Sequence, residues 1–155
     1  MKSIEQLLAE NPFFAGLDDE TLATIAGCAQ NVHCREGETL FRADDRADQC
    51  FVLRTGRVAL EIVDSGGHGM IVDTVPAGDL VGLAWLVAPY RWDLDARAVE
   101  PVNAVAFDAT CLRTKCDNDP RVGYLLMERV ASAMHERIRS ARIRLLDVYG
   151  VPGGS

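Results

Sequence analysis

The feature that most constrains the fold is a series of short apolar runs between Val32 and Phe107, separated by glycine-containing turns. Val58, Leu60 and Ile62 alternate with other residues, which is the period-two pattern of a strand with one buried face. The turn signals recur roughly every ten residues, as they do in small barrels and rolls built from antiparallel strands. We therefore predict a β-roll over residues 31–109.

Helical patterns flank this region on both sides. Residues 1–30 carry two short amphipathic segments, interrupted at Pro12, and Asp18 or Asp19 is placed to cap the second. Residues 110–150 form the C-terminal helical region. With 155 residues, the chain has the size of a single domain. The prediction is one mixed α+β domain, mainly β, with N-terminal helices and a long C-terminal helix.

The C-terminal helix is predicted to start at the signal Asp119-Pro120 and to continue from Arg121 to Tyr149. At 1.5 Å per residue it would be about 43 Å long. Its apolar residues repeat every seven positions, which predicts the seam of a parallel homodimer; the alternative is that the helix packs on its own barrel. The arginines of residues 137–144 fit a solvated face better than a nucleic-acid site. The predicted seam consists of Tyr124, Met127, Ala131, Met134, Ile138, Ala141, Leu145 and Val148.

Residues 75–99, called the cassette below, contain the candidate binding residues. Gly78 and Gly82 allow tight turns, and residues 83–87 are predicted to form one helical turn that ends before Pro89. A glycine turn beside a helix N-terminus can bind an anion through backbone N–H groups. Asp79 could accept a hydrogen bond from a sugar hydroxyl. The alternative is a purely structural turn beneath a helix.

Composition excludes several classes of protein. The formal charge of −7 argues against a general nucleic-acid binder, which would carry a basic surface. No run of 18 apolar residues is present, so we predict no membrane span. The N-terminus lacks the apolar core of a signal peptide, and the expected location is therefore cytoplasmic.

The cysteines and histidines predict neither a metal site nor an active site. Five cysteines are an odd number without a C-x-x-C pair or a zinc spacing, so they are not expected to form a disulfide framework. We expect most of them to be small core residues in a reducing compartment. No nucleophile and base motif occurs around the three histidines, so no enzymatic activity is predicted. The cysteines are Cys28, Cys34, Cys50, Cys111 and Cys116.

Several motifs together resemble the cyclic-nucleotide-binding domain family, the sensor module of catabolite-activator-type regulators. The resemblance implies a jelly-roll barrel (a double-stranded β-helix) of eight strands with flanking helices, and a cyclic nucleotide such as cAMP, or another nucleotide-like anion, inside it. The motifs are Phe13-Phe14-x-Gly16-Leu17, Gly37-Glu38-x-Leu40-Phe41, Ala47-Asp48-x-x-Phe51-Val52-Leu53-x-x-Gly56-x-Val58 and Gly78-Asp79-Leu80-Val81-Gly82.

The sequence departs from the family pattern within the cassette. Aligned through Arg97-Ala98, the family's phosphate-pairing arginine falls on Trp92, and Asp79 replaces the usual glutamate. Arg91 could substitute if it turns inward, whereas strand alternation points Arg97 outward. Tyr90 and Trp92 could stack on a base or plug the pocket. The candidate ligand residues are Gly78, Asp79, Leu80, Val81, Gly82, Leu83, Arg91 and Trp92.

The expected function follows from the resemblance and these departures. Catabolite-activator-type regulators continue from the long helix into a DNA-reading helix-turn-helix, whereas here a glycine-rich stretch, predicted to be a flexible tail at residues 151–155, follows. We expect a stand-alone, homodimeric sensor or regulatory module that acts through an unknown protein partner, with weak or altered nucleotide specificity and no DNA binding. The alternative is an accessory or structural subunit of a larger complex, with a degenerate pocket.

Overall fold

The computed structural model describes residues 1–150, and its strands form two four-stranded antiparallel sheets in a jelly-roll arrangement. The strand order is β1-β8-β3-β6 in one sheet and β2-β7-β4-β5 in the other. This confirms the predicted mixed, mainly β fold. The strands are β1 Ala29–Cys34, β2 Thr39–Phe41, β3 Gln49–Thr55, β4 Val58–Val63, β5 Gly69–Val75, β6 Leu80–Val81, β7 Asp95–Ala98 and β8 Val102–Asp108.

The helices begin at side chains that accept hydrogen bonds from the first turn. Asp18, Asp108 and Asp119 are the N-caps of three of them, and Ser3 forms a capping box with Gln6 at the first. Pro120 takes the first helical position of the last helix, where its missing N–H costs no hydrogen bond. The helices are α1 Ile4–Glu10, a 3₁₀ turn Pro12–Phe14, α2 Asp19–Ala26, α3 Ala109–Asn118 and α4 Pro120–Tyr149.

The core lies between the two sheets and continues under the helices. Phe14 is 2% exposed, and its ring centroid lies 5.8 Å from that of Phe107 on β8. The first half of α4 contributes one buried face to this core. That face consists of Val122, Leu126, Val130 and Ala133. It differs from the predicted heptad seam, of which Met127 and Met134 also pack against the core, whereas most other seam side chains are exposed.

The helical turn predicted for residues 83–87 is not present. The Leu86 N–H bonds the Leu83 carbonyl at 2.9 Å and closes a single three-residue turn. The Gly82 carbonyl, which an α-helix would pair with Leu86, accepts instead from the Trp85 indole N–H at 3.2 Å. The buried indole is therefore bonded to the carbonyl that an α-helix would use, and residues 83–87 offer no helix N-terminus to the cassette.

The sequence predicts no disulfide framework, and the structure shows one disulfide pair within the described residues. The pairing of β1 with β8 places Ala29 opposite Phe107, and the Asp108 N–H bonds the Cys28 carbonyl at 2.9 Å. This register brings the end of α2 to the start of α3, where Cys28 and Cys111 form a disulfide. Cys34, Cys50 and Cys116 remain thiols.

Two features are absent from the described residues. Within residues 1–150, no helix combines the length and the apolar character needed to cross a bilayer. No group of three His, Cys, Asp or Glu side chains in the same range could hold a metal ion. The predicted tail at residues 151–155 lies outside the described residues.

Candidate ligand site at the cassette

The first part of the cassette is joined to β3 through its backbone. The Gly78 N–H bonds the Leu53 carbonyl at 2.8 Å, and the Leu53 N–H bonds the Asp79 carbonyl at 3.0 Å. The side chain of the buried Asn11 donates to the same Leu53 carbonyl at 3.0 Å. Leu80 and Val81 form β6 and are 2% and 0% exposed. The backbone of this turn is therefore committed to the sheet, and these two side chains belong to the core.

A cavity of about 630 Å³ lies beside the second part of the cassette. It brings together four of the predicted ligand residues, namely Gly82, Leu83, Arg91 and Trp92. Most of its remaining wall is apolar, and carboxylates are contributed by Asp44 and Asp93. Met134 of α4 completes the wall, so the cavity touches the helix that carries the predicted dimer seam. The other lining residues are Ala84, Val87, Ala88, Pro89 and Leu94.

Trp92 fills the position that the resemblance assigns to a phosphate-pairing arginine. Its ring stacks on Phe41 with a centroid distance of 3.6 Å and an interplanar angle of 9°. A Cβ added at Gly82 would lie 2.7 Å from Cζ3 of the indole, so the ring touches the turn directly. Trp92 is only 4% exposed. Of the two roles considered for this residue, the packing favours a plug over a stacking platform for a base.

Both candidate arginines have partners within the protein. Arg91 is exposed and donates from Nη1 to the Asp44 carbonyl at 2.9 Å. Arg97 lies between the buried Ala96 and Ala98 and points to the other face of β7. There its guanidinium pairs with Glu61 at 2.6 Å. Arg91 therefore contributes to the lining of the cavity, whereas Arg97 does not.

Asp79 does not line the cavity that contains Arg91 and Trp92. Its Oδ1 accepts from the Leu80 N–H at 2.8 Å, and its Oδ2 lies 3.1 Å from Nη2 of Arg137. Arg137 also contacts Asp73 at 3.3 Å and donates to the Thr74 carbonyl at 3.0 Å. Arg144, one heptad further along α4, contacts Asp73 at 3.3 Å. These pairs surround a separate cavity of about 540 Å³, so the predicted ligand residues are divided between two places.

Sequence reasoning missed Arg113, which holds the outer loop of the cassette. Its Nη1 donates to the Trp85 carbonyl, and its guanidinium carbon lies 4.2 Å from the centre of the Tyr90 ring. A cation over an aromatic face is attractive, and the hydrogen bond fixes the position of the guanidinium. Arg113 belongs to α3, far from the cassette in sequence, and no local pattern indicates the contact.

The predicted dimer seam lies on a flank of α4 that the domain covers only in part, through Met127 and Met134. At 100° per residue, it is centred about 105° around the axis from the face that packs on the core. Tyr124 is 69% exposed, Ile138 51% and Leu145 54%. Met127, Met134 and Ala141 are partly exposed, and Ala131 and Val148 are exposed. A continuous apolar stripe is therefore available along α4.

Comparisons with known proteins agree with this architecture. Residues 31–119 match the sequence profile of the cyclic nucleotide-binding domain. The CRP-like cAMP-activated global transcriptional regulator of Mycobacterium tuberculosis is 22% identical over 152 residues, which cover 97% of this chain. The match spans 66% of that relative's length.

Solved structures are similar over most of the chain. A candidate cyclic nucleotide-binding protein of Geobacter metallireducens GS-15 is 32% identical with a TM-score of 0.76, covering 89% of this chain and 99% of the other. The N-terminal domain of a transcriptional regulator from Streptomyces coelicolor A3(2) is 28% identical with a TM-score of 0.66, covering 96% and 99%. Since the family profile covers more than half of the sequence, the chain belongs to the cyclic nucleotide-binding domain family.

Proposed function

We propose that this chain is a homodimeric sensor or regulatory module whose cassette binds an ordinary cyclic nucleotide weakly or not at all. The observation that carries this proposal is Trp92, packed between Phe41 and Gly82 where a phosphate-pairing arginine is expected. A charge-assisted hydrogen bond contributes about 1.5–3 kcal/mol. Its loss corresponds to about 10- to 150-fold weaker binding.

The charges around the cavity support the same proposal. Asp44 and Asp93 contribute to the lining and would repel a phosphate. Arg91 is the cation at the rim, and its guanidinium is engaged with a backbone carbonyl. The apolar wall instead suits a ligand whose binding rests on packing, so an altered specificity is part of the proposal.

The exposed stripe on α4 supports the homodimer. Large apolar side chains along a continuous helix face are disfavoured in water, and a second copy of the same helix covers them in a parallel pair. Met134 belongs both to this stripe and to the cavity wall. Pairing along α4 would therefore connect the cassette cavity with the dimer interface.

For the output of the module we propose contact with a protein partner in the cytoplasm. The formal charge of −7 disfavours binding to nucleic acid, and we assign the chain neither DNA binding nor catalysis. A second candidate function is an accessory subunit that binds no nucleotide. The burial of Trp92 favours that candidate, whereas the open cavity beside it favours a sensor.

Calorimetry with cAMP and cGMP tests the proposal. We expect no saturable heat at micromolar protein, in wild type and in the variants Arg91→Ala and Arg97→Ala. Low-micromolar cAMP affinity of the wild type would overturn it, and its loss or retention in Arg91→Ala would show whether Arg91 pairs the phosphate. A thermal-shift screen with cyclic mononucleotides, dinucleotides and NAD(P) then separates the two candidates, because a specific ligand raises Tm only for a sensor.

A further inference from the structure

The disulfide lies where a small thiol can reach it. Cys28 follows α2 and is 7% exposed, whereas Cys111, in the first turn of α3, is partly exposed. A cavity of about 390 Å³ opens beside the bond, lined among others by Gly27, Gln30 and Asp108. Both cysteines line this cavity, and Cys111 is the more exposed residue of the pair.

The other cysteines are poor candidates for thiol exchange. Burial raises the pKa of the Cys50 thiol, which keeps this core residue protonated and unreactive. Partial burial also raises the pKa of the Cys34 and Cys116 thiols, and the charges of Glu38 and Asp117 add to the effect. Among the described residues, Cys28 and Cys111 are therefore the pair best suited to reversible thiol–disulfide exchange.

The helix that carries Cys111 also holds the cassette. Arg113, two residues further on, donates to the Trp85 carbonyl and covers the ring of Tyr90. Residues 83–92 form much of the wall of the cassette cavity. The disulfide thus ties the first turn of α3 to Cys28, just after α2. Two residues further along α3, the side chain of Arg113 contacts residues 83–92, which shape the candidate ligand site.

We propose that Cys28 and Cys111 are a reversible thiol–disulfide site whose oxidation state sets how firmly α3 holds residues 83–92. The reductant is a dithiol or a protein with a paired-cysteine centre. Its thiolate attacks Sγ of Cys111, the bond between the two cysteine sulfurs breaks, and Cys28 leaves as a thiolate that takes up a proton. The second thiol of the reductant, as a thiolate, attacks the mixed disulfide, which closes a disulfide within the reductant and releases Cys111 as a thiolate that takes up a proton. Two electrons and two protons have then passed to the protein, and the reverse exchange, with the disulfide form of the same dithiol as oxidant, restores the bond.

Reduction should loosen the loop without unfolding the domain. The Cys111 N–H remains bonded to the Asp108 carboxylate at 2.8 Å, and Leu112 remains anchored in the core at 2% exposure. What is lost is the covalent restraint on the first turn of α3. Arg113 then holds Trp85 and Tyr90 from a less restrained helix.

Hydrogen exchange on the full chain, oxidised or treated with dithiothreitol, tests the proposal. Alkylation under denaturing conditions should count three thiols before treatment and five after it. We expect amides of residues 83–92 to exchange at least about threefold faster in the reduced protein. Circular dichroism should show that the strands are retained.

Variants separate this mechanism from a general loss of stability. In the double variant Cys28→Ser with Cys111→Ser, residues 83–92 should exchange as fast as in reduced wild type, and dithiothreitol should not change the rate. Cys34→Ser should respond to dithiothreitol as the wild type does. Arg113→Ala should exchange rapidly at residues 83–92 in both states. Five thiols in the oxidised protein, or identical exchange of residues 83–92 in the two states, would overturn the proposal.

Discussion

The contact between Trp92 and Gly82 leads to a prediction about stability that can be worked out from the structure. Gly82 has φ = +78°, a conformation that disfavours any side chain, and an added Cβ would lie 2.7 Å from the indole. The backbone effect costs about 1–2 kcal/mol for a non-glycine residue. Forcing a methyl group into a packed site costs about 1–3 kcal/mol more. We therefore expect Gly82→Ala to lower the free energy of unfolding by about 2–5 kcal/mol.

A matched glycine isolates the contribution of the indole. Gly37 has φ = +89°, and an added Cβ there meets nothing within 4 Å. Gly37→Ala should therefore show the backbone cost alone, about 1–2 kcal/mol. The difference between the two variants measures the clash with Trp92.

The assay is urea unfolding followed by circular dichroism, with constant m-values as the check on two-state behaviour. Combining Gly82→Ala with Trp92→Leu should recover the clash as a coupling energy of about 1–3 kcal/mol. Equal losses for Gly82→Ala and Gly37→Ala, or additive losses in the double variant, would refute the placement of the indole against the turn.

Three other predictions concern α2 and α4. In sedimentation, Ile138→Asp should give monomer or aggregate, whereas Ile143→Asp, at an equally exposed position on the other flank of α4, should remain dimeric. A wild-type protein that sediments as a monomer at micromolar concentration would contradict the predicted seam. Hydrogen bonds from Thr21 and Arg121 lower the pKa of Asp18 from 3.8 to about 2, so the carboxylate's contribution to stability is complete above pH 3.8 and is lost as the pH falls to about 2. Asp18→Asn should lose this part of the dependence of stability on pH, and an unchanged dependence would argue against Asp18 as the cap. Arg137→Gln should lower the free energy of unfolding in urea by about 1–3 kcal/mol, because Asp79 loses its ion-pair partner and Asp73 keeps only Arg144. The exposed Arg139→Gln should cost about 0–1 kcal/mol, and equal losses in the two variants would contradict this assignment.

The sequence by itself determined the elements whose signals are local. Alternation and glycine turns predicted the β-roll because strand burial has a period of two, and the observed strands run from Ala29 to Asp108. The predicted long helix also formed, since Pro120 suits a helix start and only Gly123 weakens the segment that follows. The family resemblance also predicts that Trp92 takes the arginine position, by its spacing to Arg97-Ala98 within one stretch of chain, and this assignment stays a prediction.

Tertiary structure alone decided how these elements meet at the site. Cys28 pairs with Cys111 because of the register of β1 on β8, and that pairing spans 83 residues of sequence. Asp79 turns to Arg137 of α4, and Arg113 reaches Tyr90, through contacts that carry no periodic signal. Residues 83–87 form no α-helix, and the Gly82 carbonyl accepts from the buried Trp85 indole instead. Such choices depend on side chains distant in sequence competing for the same backbone groups and the same space, and a local pattern does not contain that information.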